Sequence, residues 1–559
     1  MERSRRRLIG ILSGSILIFI MLLFRLAFIQ VVNGPVLSYS AFKQQAEVVA
    51  LEEYPRGNIL DRNGVSLTGQ CRVKEVALFP DLIKNKRIIA EELAGILKVS
   101  PAEIEEKMLR APCRLPYPLS EQQANAVNHK KWPGVEVVPV DRRYGGPSLA
   151  EHVVGSLGKI DTVSEWRRLN GGPKQYALGD SVGRTGCEYY YEHVLKGTVP
   201  RSAAGIYHDA RGEVLKGLGV KIREQTDNER ADLLLTVDAD IQGVVEEVMD
   251  RRIPQGAVVV LEAGSGDILA VASRPTFGLG NSGAKGKAGG KESFVNRAFS
   301  PFPPGSVFKL VVSAAALETG LVKPEETFFC AGSDRFLNCW NPAGHGEITF
   351  KQAFAYSCNP FFAHLGLALG KERLLEYCRL FALEDRSTLG YPLYRDPRQD
   401  LSRCLKPHNL VNLSVGQGPI LMTPVQIASV LNAVLNNGVF VRPRLVKALR
   451  WPGGCEEQPR DAGRRVLTVD TALRLQEAMA LTTKVGTGRQ GYLDGWGSAG
   501  KTGTAELAGG NACAWFAGYA PLAQPRYVIV VLIEGGGSGG ADAAPVFKEI
   551  AAKLLTHYK

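Results

Sequence analysis

Metal-ligand signatures are missing from this sequence of 559 residues: there is no C-x-x-C pair and no H-E-x-x-H, and the eight histidines are scattered. No metal and no cofactor are therefore expected. Ten cysteines are too few and too irregularly spaced for a disulfide framework. Only Cys330 and Cys339, in CAGSDRFLNC, lie close enough for a local bridge, and two reduced, partly buried thiols are the equal alternative. Internal repeats are absent, which excludes repeat architectures. Long apolar runs are also scarce. After the first 32 residues no stretch could cross a bilayer, so the remainder should fold in water.

The first 32 residues are different. Leu8 to Phe24, LIGILSGSILIFIMLLF, is 17 residues without a charge. Arg25 can snorkel to the interface, which lets a membrane helix run over 8–32. The chain carries a net charge of +11, part of it in the tail MERSRRR, with Arg3, Arg5, Arg6 and Arg7. A basic tail beside a membrane span places the N-terminus in the cytoplasm and exports the rest. No A-x-A-like site follows the apolar core, so an uncleaved, single-pass anchor in the cell membrane is expected over a signal peptide. The same charge is no argument for nucleic acid. With 45% apolar and 22% charged residues, the exported part has the composition of large globular domains.

Residues 33–225 read as mixed and irregular. LSYSAFKQQAEVVALEEYP suggests a helix running into an extended segment, and RGNILDRNGVSLT a strand, a turn at Arg62-Asn63-Gly64 and a return strand. Residues 86–110 have helical spacing that Ser100-Pro101 divides. No nucleophile, base and acid come together here, which points to a spacer or docking module. From about 226 the pattern changes. ADLLLTVDADIQGVVEEVMDRRI reads as a strand, a cap at Asp238 and a helix. GAVVVLEAGSGDILAVASRPTF reads as a hairpin, and 278–292 as a Gly-rich loop. Helical patterns then run from 306 to about 480, followed by β-like runs at 512–519 and 526–534 and a final amphipathic helix. This order predicts an α+β domain with an antiparallel sheet and a helical subdomain.

Five S-x-x-K matches occur, beginning at Ser40, Ser156, Ser282, Ser306 and Ser498. Alone, each is a weak signal, and an N-capping serine with an unrelated lysine is the commoner explanation. Only Ser306 opens a long apolar helix straight after a break, in FPPGSVFKLVVSAAALETG. There its hydroxyl would sit among free N–H groups at the positive end of the dipole. Lys309 would share its face and, if buried, accept a proton as a neutral amine. Ser357-Cys358-Asn359 is the single S-x-N in the chain and Lys501-Thr502-Gly503 the single K-T-G, continued by Thr504. In that order the three motifs form the signature of penicilloyl-serine transferases. GWGSAGKT also matches a P-loop pattern, but no β-rich run precedes it and glycines follow. An edge strand carrying Lys501 is expected instead.

On these motifs the chain resembles the class B penicillin-binding proteins, monofunctional peptidoglycan D,D-transpeptidases. The resemblance covers nearly the whole sequence. It is carried as well by RGNILDRNG, RYGGPSLAEHVVGSLG, GRTGCEYYYEHVLKG, LTVDADIQ, NRAFSPFPPGSVFK, GQGPILMTPVQIA and NACAWFAGYAP. The expected layout is a cytoplasmic tail 1–7, an anchor 8–32, an elongated pedestal or dimerisation-like domain 33–225 and a transpeptidase domain 226–559. No glycosyltransferase-like region is evident before the pedestal, which sets the chain apart from class A proteins, and no repeat is evident after the catalytic part.

The resemblance implies that Ser306 is acylated by a pentapeptide stem, Lys309 takes its proton and Ser357 relays a proton to the leaving D-alanine. It implies that Asn359 binds the substrate amide and helps hold Lys309, that Lys501 is catalytic and supplies positive charge near the substrate carboxylate, that Thr502 and Thr504 offer it hydroxyls, and that Gly503 belongs to the same substrate-binding strand. The N–H groups of Ser306 and Thr504 would form the oxyanion hole. β-Lactams would trap Ser306. Implied partners are peptidoglycan stem peptides, the membrane, a SEDS-type glycan polymerase and divisome or elongasome proteins; Gly10 and Gly14 could pack against a polytopic partner. A D,D-carboxypeptidase or β-lactamase-type hydrolase, a β-lactam receptor and an idle scaffold are the alternatives. Cys358 stands where the signature often has aspartate, and it should point away from the chemistry. A role in division, elongation or sporulation stays open.

Overall fold

The computed structural model describes residues 2–31, 46–109, 112–172, 174–209, 211, 213–215, 219–224, 226–279, 290–323, 325–392, 398–402, 409–506 and 511–557. An N-terminal helix, Glu2–Val31, contains the one described stretch long and apolar enough to cross a membrane, Ile9–Gln30, and none of it is buried in the protein. It is suited to single-pass anchoring. The helix expected before the extended segment lies outside the described residues, as does most of the Gly-rich loop at 278–292. The extended segment itself is the strand Ala46–Ala50.

The membrane-proximal half is built from small sheets. Cys71–Leu78 pairs antiparallel with both Cys113–Leu119 and Val135–Arg142, and the helices Lys86–Leu97 and Pro101–Met108 cover one face. The split at Ser100-Pro101 is where the sequence places it, because proline suits the first turn and not the interior. Ile59–Leu60 lies parallel to Asp232–Leu235, which itself pairs with Val446–Trp451. One four-stranded sheet thus joins the two halves of the chain.

At that junction Glu188 is fully buried. Arg56 Nε donates to it at 2.9 Å, Arg143 Nε at 2.5 Å and the Tyr144 hydroxyl at 2.6 Å. Its burial opposes ionisation, but the two guanidiniums outweigh that and hold the carboxyl below its ordinary range. Three of the motif segments, RGNILDRNG, RYGGPSLAEH and GRTGCEYYYEH, meet in this one cluster.

The C-terminal half is centred on a five-stranded antiparallel sheet. Across it lie Ile268–Arg274, Gly256–Glu262, Tyr527–Glu534, Ala512–Ala520 and, at the edge, Ala499–Glu506. Alternate residues of these strands enter two separate cores. Val259, Leu261, Trp515, Val530 and Leu532 face the helices Lys309–Glu318 and Pro424–Leu435. Val258, Val260, Phe516, Ile529 and Val531 face Ala239–Arg252 and Ala544–His557. Both faces are covered, which is why AVVVL and VIVVLI read as continuous apolar runs.

The stretch from 306 to 480 departs from its helical expectation. Short strands interrupt it: Thr327–Cys330 pairs with Gly346–Thr349, and Val446–Trp451 with Gly454–Glu457. Pieces of four to six residues are too short for periodicity to separate from helix. Cys330 and Cys339 are both free thiols.

Candidate active site

Pro303 and Pro304 end the segment before Ser306, and one turn of 3-10 helix, Gly305–Phe308, runs into the α-helix Lys309–Glu318. The helix therefore starts slightly tighter than the sequence suggests. Any residue other than glycine would be strained at position 305. Its φ is +54°, and a Cβ would lie 2.6 Å from the Thr504 carbonyl oxygen. This close approach sets the Ser306 turn against the edge strand that carries the K-T-G motif. Gly503 shares the contact, since its Cβ would be 3.0 Å from the Pro304 carbonyl oxygen.

Beneath Ser306 the Lys309 side chain is wholly buried. Its Nζ donates to the Ser357 carbonyl at 2.9 Å, the Ser357 hydroxyl at 3.2 Å and Asn359 Oδ1 at 2.8 Å. The amine is thus tied to both polar residues of the S-x-N motif. Burial pushes its pKa down from 10.5 to about 7, against an opposing pull from the nearby Cys358 and Cys339 thiols. Ser357 itself adopts a left-handed φ of +56°, uncommon for serine. Its amide reaches back to the Phe354 carbonyl at 3.1 Å, and that of Cys358 to Ala353 at 2.9 Å, closing the turn. The helix Asn359–Leu369 starts directly after it.

Lys501 lies on the edge strand, 1% exposed, with its Nζ on the Thr502 carbonyl at 3.1 Å and 5.6 Å from the Phe354 ring. Burial, with the nearby Lys309 charge, holds its pKa well below the ordinary lysine value. The Thr502 hydroxyl is 2.6 Å from that of Thr487. The Thr504 hydroxyl accepts from the Gly539 amide at 3.3 Å. Ser306, Ser357, Asn359, Thr502, Gly503 and Thr504 line one cleft of about 1080 Å³, and the two lysines lie behind its wall. Every residue expected at the site is therefore brought together.

The other S-x-x-K matches do not join them. Ser156 bonds to Thr185, and Ser498 is buried with its hydroxyl on the Gly491 carbonyl. Ser40 and Ser282 lie outside the described residues.

A family profile described as the penicillin binding protein transpeptidase domain matches residues 256–552, more than half of the chain. The chain belongs to the penicillin-binding protein transpeptidase family. A second profile, the penicillin-binding protein dimerisation domain, matches residues 52–230. Penicillin-binding protein PbpB of Mycolicibacterium smegmatis is 30% identical, the match covering 92% of this chain and 84% of that protein. Stage V sporulation protein D of Bacillus subtilis is 27% identical over 99% and 85% of the two chains. Peptidoglycan D,D-transpeptidase MrdA of Acinetobacter baumannii is 28% identical over 95% and 85%. Among solved structures, penicillin binding protein 3 of Mycobacterium tuberculosis complexed with aztreonam superposes with a TM-score of 0.61 at 25% identity, over 91% of this chain and 97% of that one. A chain from a structure titled for a peptidoglycan synthase complex shares the fold, with a TM-score of 0.69 at 24% identity over 98% of each.

Sequence reasoning missed part of this candidate site. Thr487, which steadies Thr502, and the wall residues Trp340 and Arg489 carry no local motif. It also missed that Cys358, fully buried as expected of a residue facing away from the cleft, has company. Cys330, Cys339, His345 and Cys358 place a ligand-capable atom each within 4.8 Å of one another. Their spacing along the chain fits no familiar metal pattern, so only the fold brings them together.

Proposed function

We propose that this protein is a peptidoglycan D,D-transpeptidase, forming peptide crosslinks through an acyl-enzyme on Ser306 that β-lactams trap. The observation that carries the reading is the Lys309 amine, buried behind the cleft and shared by Ser357 and Asn359. A pKa near 7 leaves much of it neutral at neutral pH. It can then take the Ser306 proton as Oγ bonds to the carbonyl carbon between the two D-alanines. The oxyanion that forms would be met by the N–H groups of Ser306 and Thr504, brought together by the approach of Gly305 to the edge strand. The proton passes through Ser357 to the departing D-alanine nitrogen as its bond to carbon breaks. An amine of a neighbouring stem then attacks the ester carbonyl, and its proton passes through Ser357 and Lys309 to Ser306 Oγ as the ester bond to carbon breaks.

Asn359 has a second task, offering its amide to the substrate backbone. Thr502 and Thr504 receive the terminal carboxylate, and Gly503 keeps the strand close. A carboxylate arriving there favours the charged form of Lys501 behind it. The division at about 226 into pedestal and catalytic domain, the cytoplasmic N-terminus and a glycan polymerase partner in the membrane belong to the same proposal. The family match and the coverage of named transpeptidases support it. Labelling with a fluorescent penicillin tests it. The wild type should hold the label covalently and Ser306→Ala should not. Rapid turnover of the drug, or labelling of the variant, would refute the assignment.

A further inference from the structure

Behind the S-x-N turn the fold assembles a second constellation that the acyl-transfer chemistry does not use. Cys330 ends a strand paired with Gly346–Thr349, and the His345 amide donates to the Cys330 carbonyl at 3.1 Å. The hairpin therefore sets the imidazole beside the first thiol. The intervening loop folds back so that the Cys339 amide donates to Gly332 at 2.8 Å. Gly332 and Gly344 both have φ above +70°, and a Cβ on either would lie 2.1–2.2 Å from a backbone oxygen of the same loop. This closure brings Cys339 back onto Cys330. Cys358 comes from the catalytic turn.

The donor atoms are three sulfurs and one imidazole nitrogen, all within 4.8 Å of one another. Cys330, Cys339 and Cys358 are 1%, 8% and 0% exposed. His345 Nδ1 stands 3.5 Å from Cys339 Sγ, and Nε2 is buried without a hydrogen-bond partner. Its ring is held by Tyr356, stacked at 5.4 Å and 9°, and by Trp340 at 5.5 Å. Nδ1, and not the orphaned Nε2, is the nitrogen shown facing a thiol, so three sulfurs and an imidazole nitrogen are packed against one another in one largely buried cluster. A zinc tetrahedron with sulfur ligands at ~2.3 Å and nitrogen at ~2.0 Å has edges near 3.5–3.8 Å. The Nδ1–Cys339 Sγ separation of 3.5 Å already meets that, and the other edges, all within 4.8 Å, require contraction by at most about 1.3 Å. A disulfide would use two of the three sulfurs and leave one thiol and the imidazole unsatisfied.

We propose that Cys330, Cys339, His345 and Cys358 bind one zinc ion, which clamps the S-x-N turn to the 330–345 loop. On binding, the thiols release their protons and the metal takes three thiolates and a neutral imidazole, leaving the site with a single negative charge. No electron is transferred. Cys358 lies between Ser357 and Asn359, so the ion holds the left-handed turn that presents both residues to Lys309. His345, Trp340 and Tyr356 also line the cleft, so one wall of the substrate site is built on the metal loop. The metal site stands independently of the assigned activity; its effect on acylation rests on that reading.

The test uses the full chain purified in detergent under reducing conditions. Metal analysis should find one zinc per chain. Replacement by cobalt should give tetrahedral d–d bands with thiolate charge transfer, both weakened in Cys330→Ser and Cys339→Ser. Should those variants misfold, chelation of the wild type followed by zinc addition replaces them. Removal should slow penicillin acylation roughly ten- to hundredfold, and zinc should restore it. Reduced wild type that holds no zinc, or a cobalt form without thiolate bands, overturns the site. A disulfide within the cluster of metal-free protein overturns it in favour of a redox pair. Zinc bound with no change in acylation on removal overturns the clamp. Zinc bound by a protein that no penicillin labels would uphold the site and refute the transpeptidase reading instead.

Discussion

Acylation of this enzyme should depend on pH through Lys309, and the structure sets the shape of the curve. Burial lowers the lysine from 10.5 to about 7. Its neutral fraction is then about one-tenth at pH 6, one-half at pH 7 and nine-tenths at pH 8. The second-order rate constant with a fluorescent penicillin, followed by stopped flow, should rise about tenfold from pH 6 to pH 8 and level off above. A lysine left near 10.5 would be neutral in only about one chain in three thousand at pH 7, and the rate would climb tenfold per unit with no plateau below pH 9. Stability moves the same way. Between pH 7 and 10.5 the unfolded chain binds the extra proton, so stability rises with pH. The desolvation it reports is about 5 kcal/mol at full protonation, an upper figure because the ammonium keeps three acceptors. Lys309→Met should cut acylation by roughly 10²–10⁴ and lose the pH dependence, while circular dichroism shows a folded protein. A rate that keeps climbing through pH 9, or Lys309→Met with the wild-type profile, would refute the role of this amine.

Further outcomes follow from particular contacts. Asn359→Ala removes an acceptor that favours the charged amine, so the acid limb of the same profile should move to lower pH while the plateau falls. Gly305→Ala places a methyl 2.6 Å from the Thr504 carbonyl oxygen at a φ of +54°. It should cost roughly 1–3 kcal/mol in chemical denaturation and depress penicillin labelling by spreading the two walls of the site. Glu188→Ala strips the counter-charge from Arg56 and Arg143 and should cost about 3–5 kcal/mol. Limited proteolysis should then cut near the junction of the two halves, and an unchanged digestion pattern would contradict the structural role given to this cluster.

The candidate site residues were legible because each motif is local. Pro-Pro-Gly before Ser306 needs only chain stiffness to announce a helix start, and Lys309 follows one turn later by helical geometry. The two-sided core was legible in part: AVVVL and VIVVLI announce buried strands but not their neighbours. The short strands at 327–330 and 446–451 were invisible, because four to six residues carry no period. Thr487 and the Cys-His cluster were invisible for another reason. Their partners lie 6 to 28 residues away along the chain, at spacings that match no familiar motif.

Local chemistry in the sequence thus determined the membrane helix, the three motifs and the kind of nucleophile. Only the tertiary structure decided that Lys309 is buried rather than solvated, that Gly305 sets the Ser306 turn against the edge strand and that Cys358 meets two other thiols and an imidazole. Those properties depend on desolvation and on approaches of about 3 Å between distant segments, and both arise only when the chain packs.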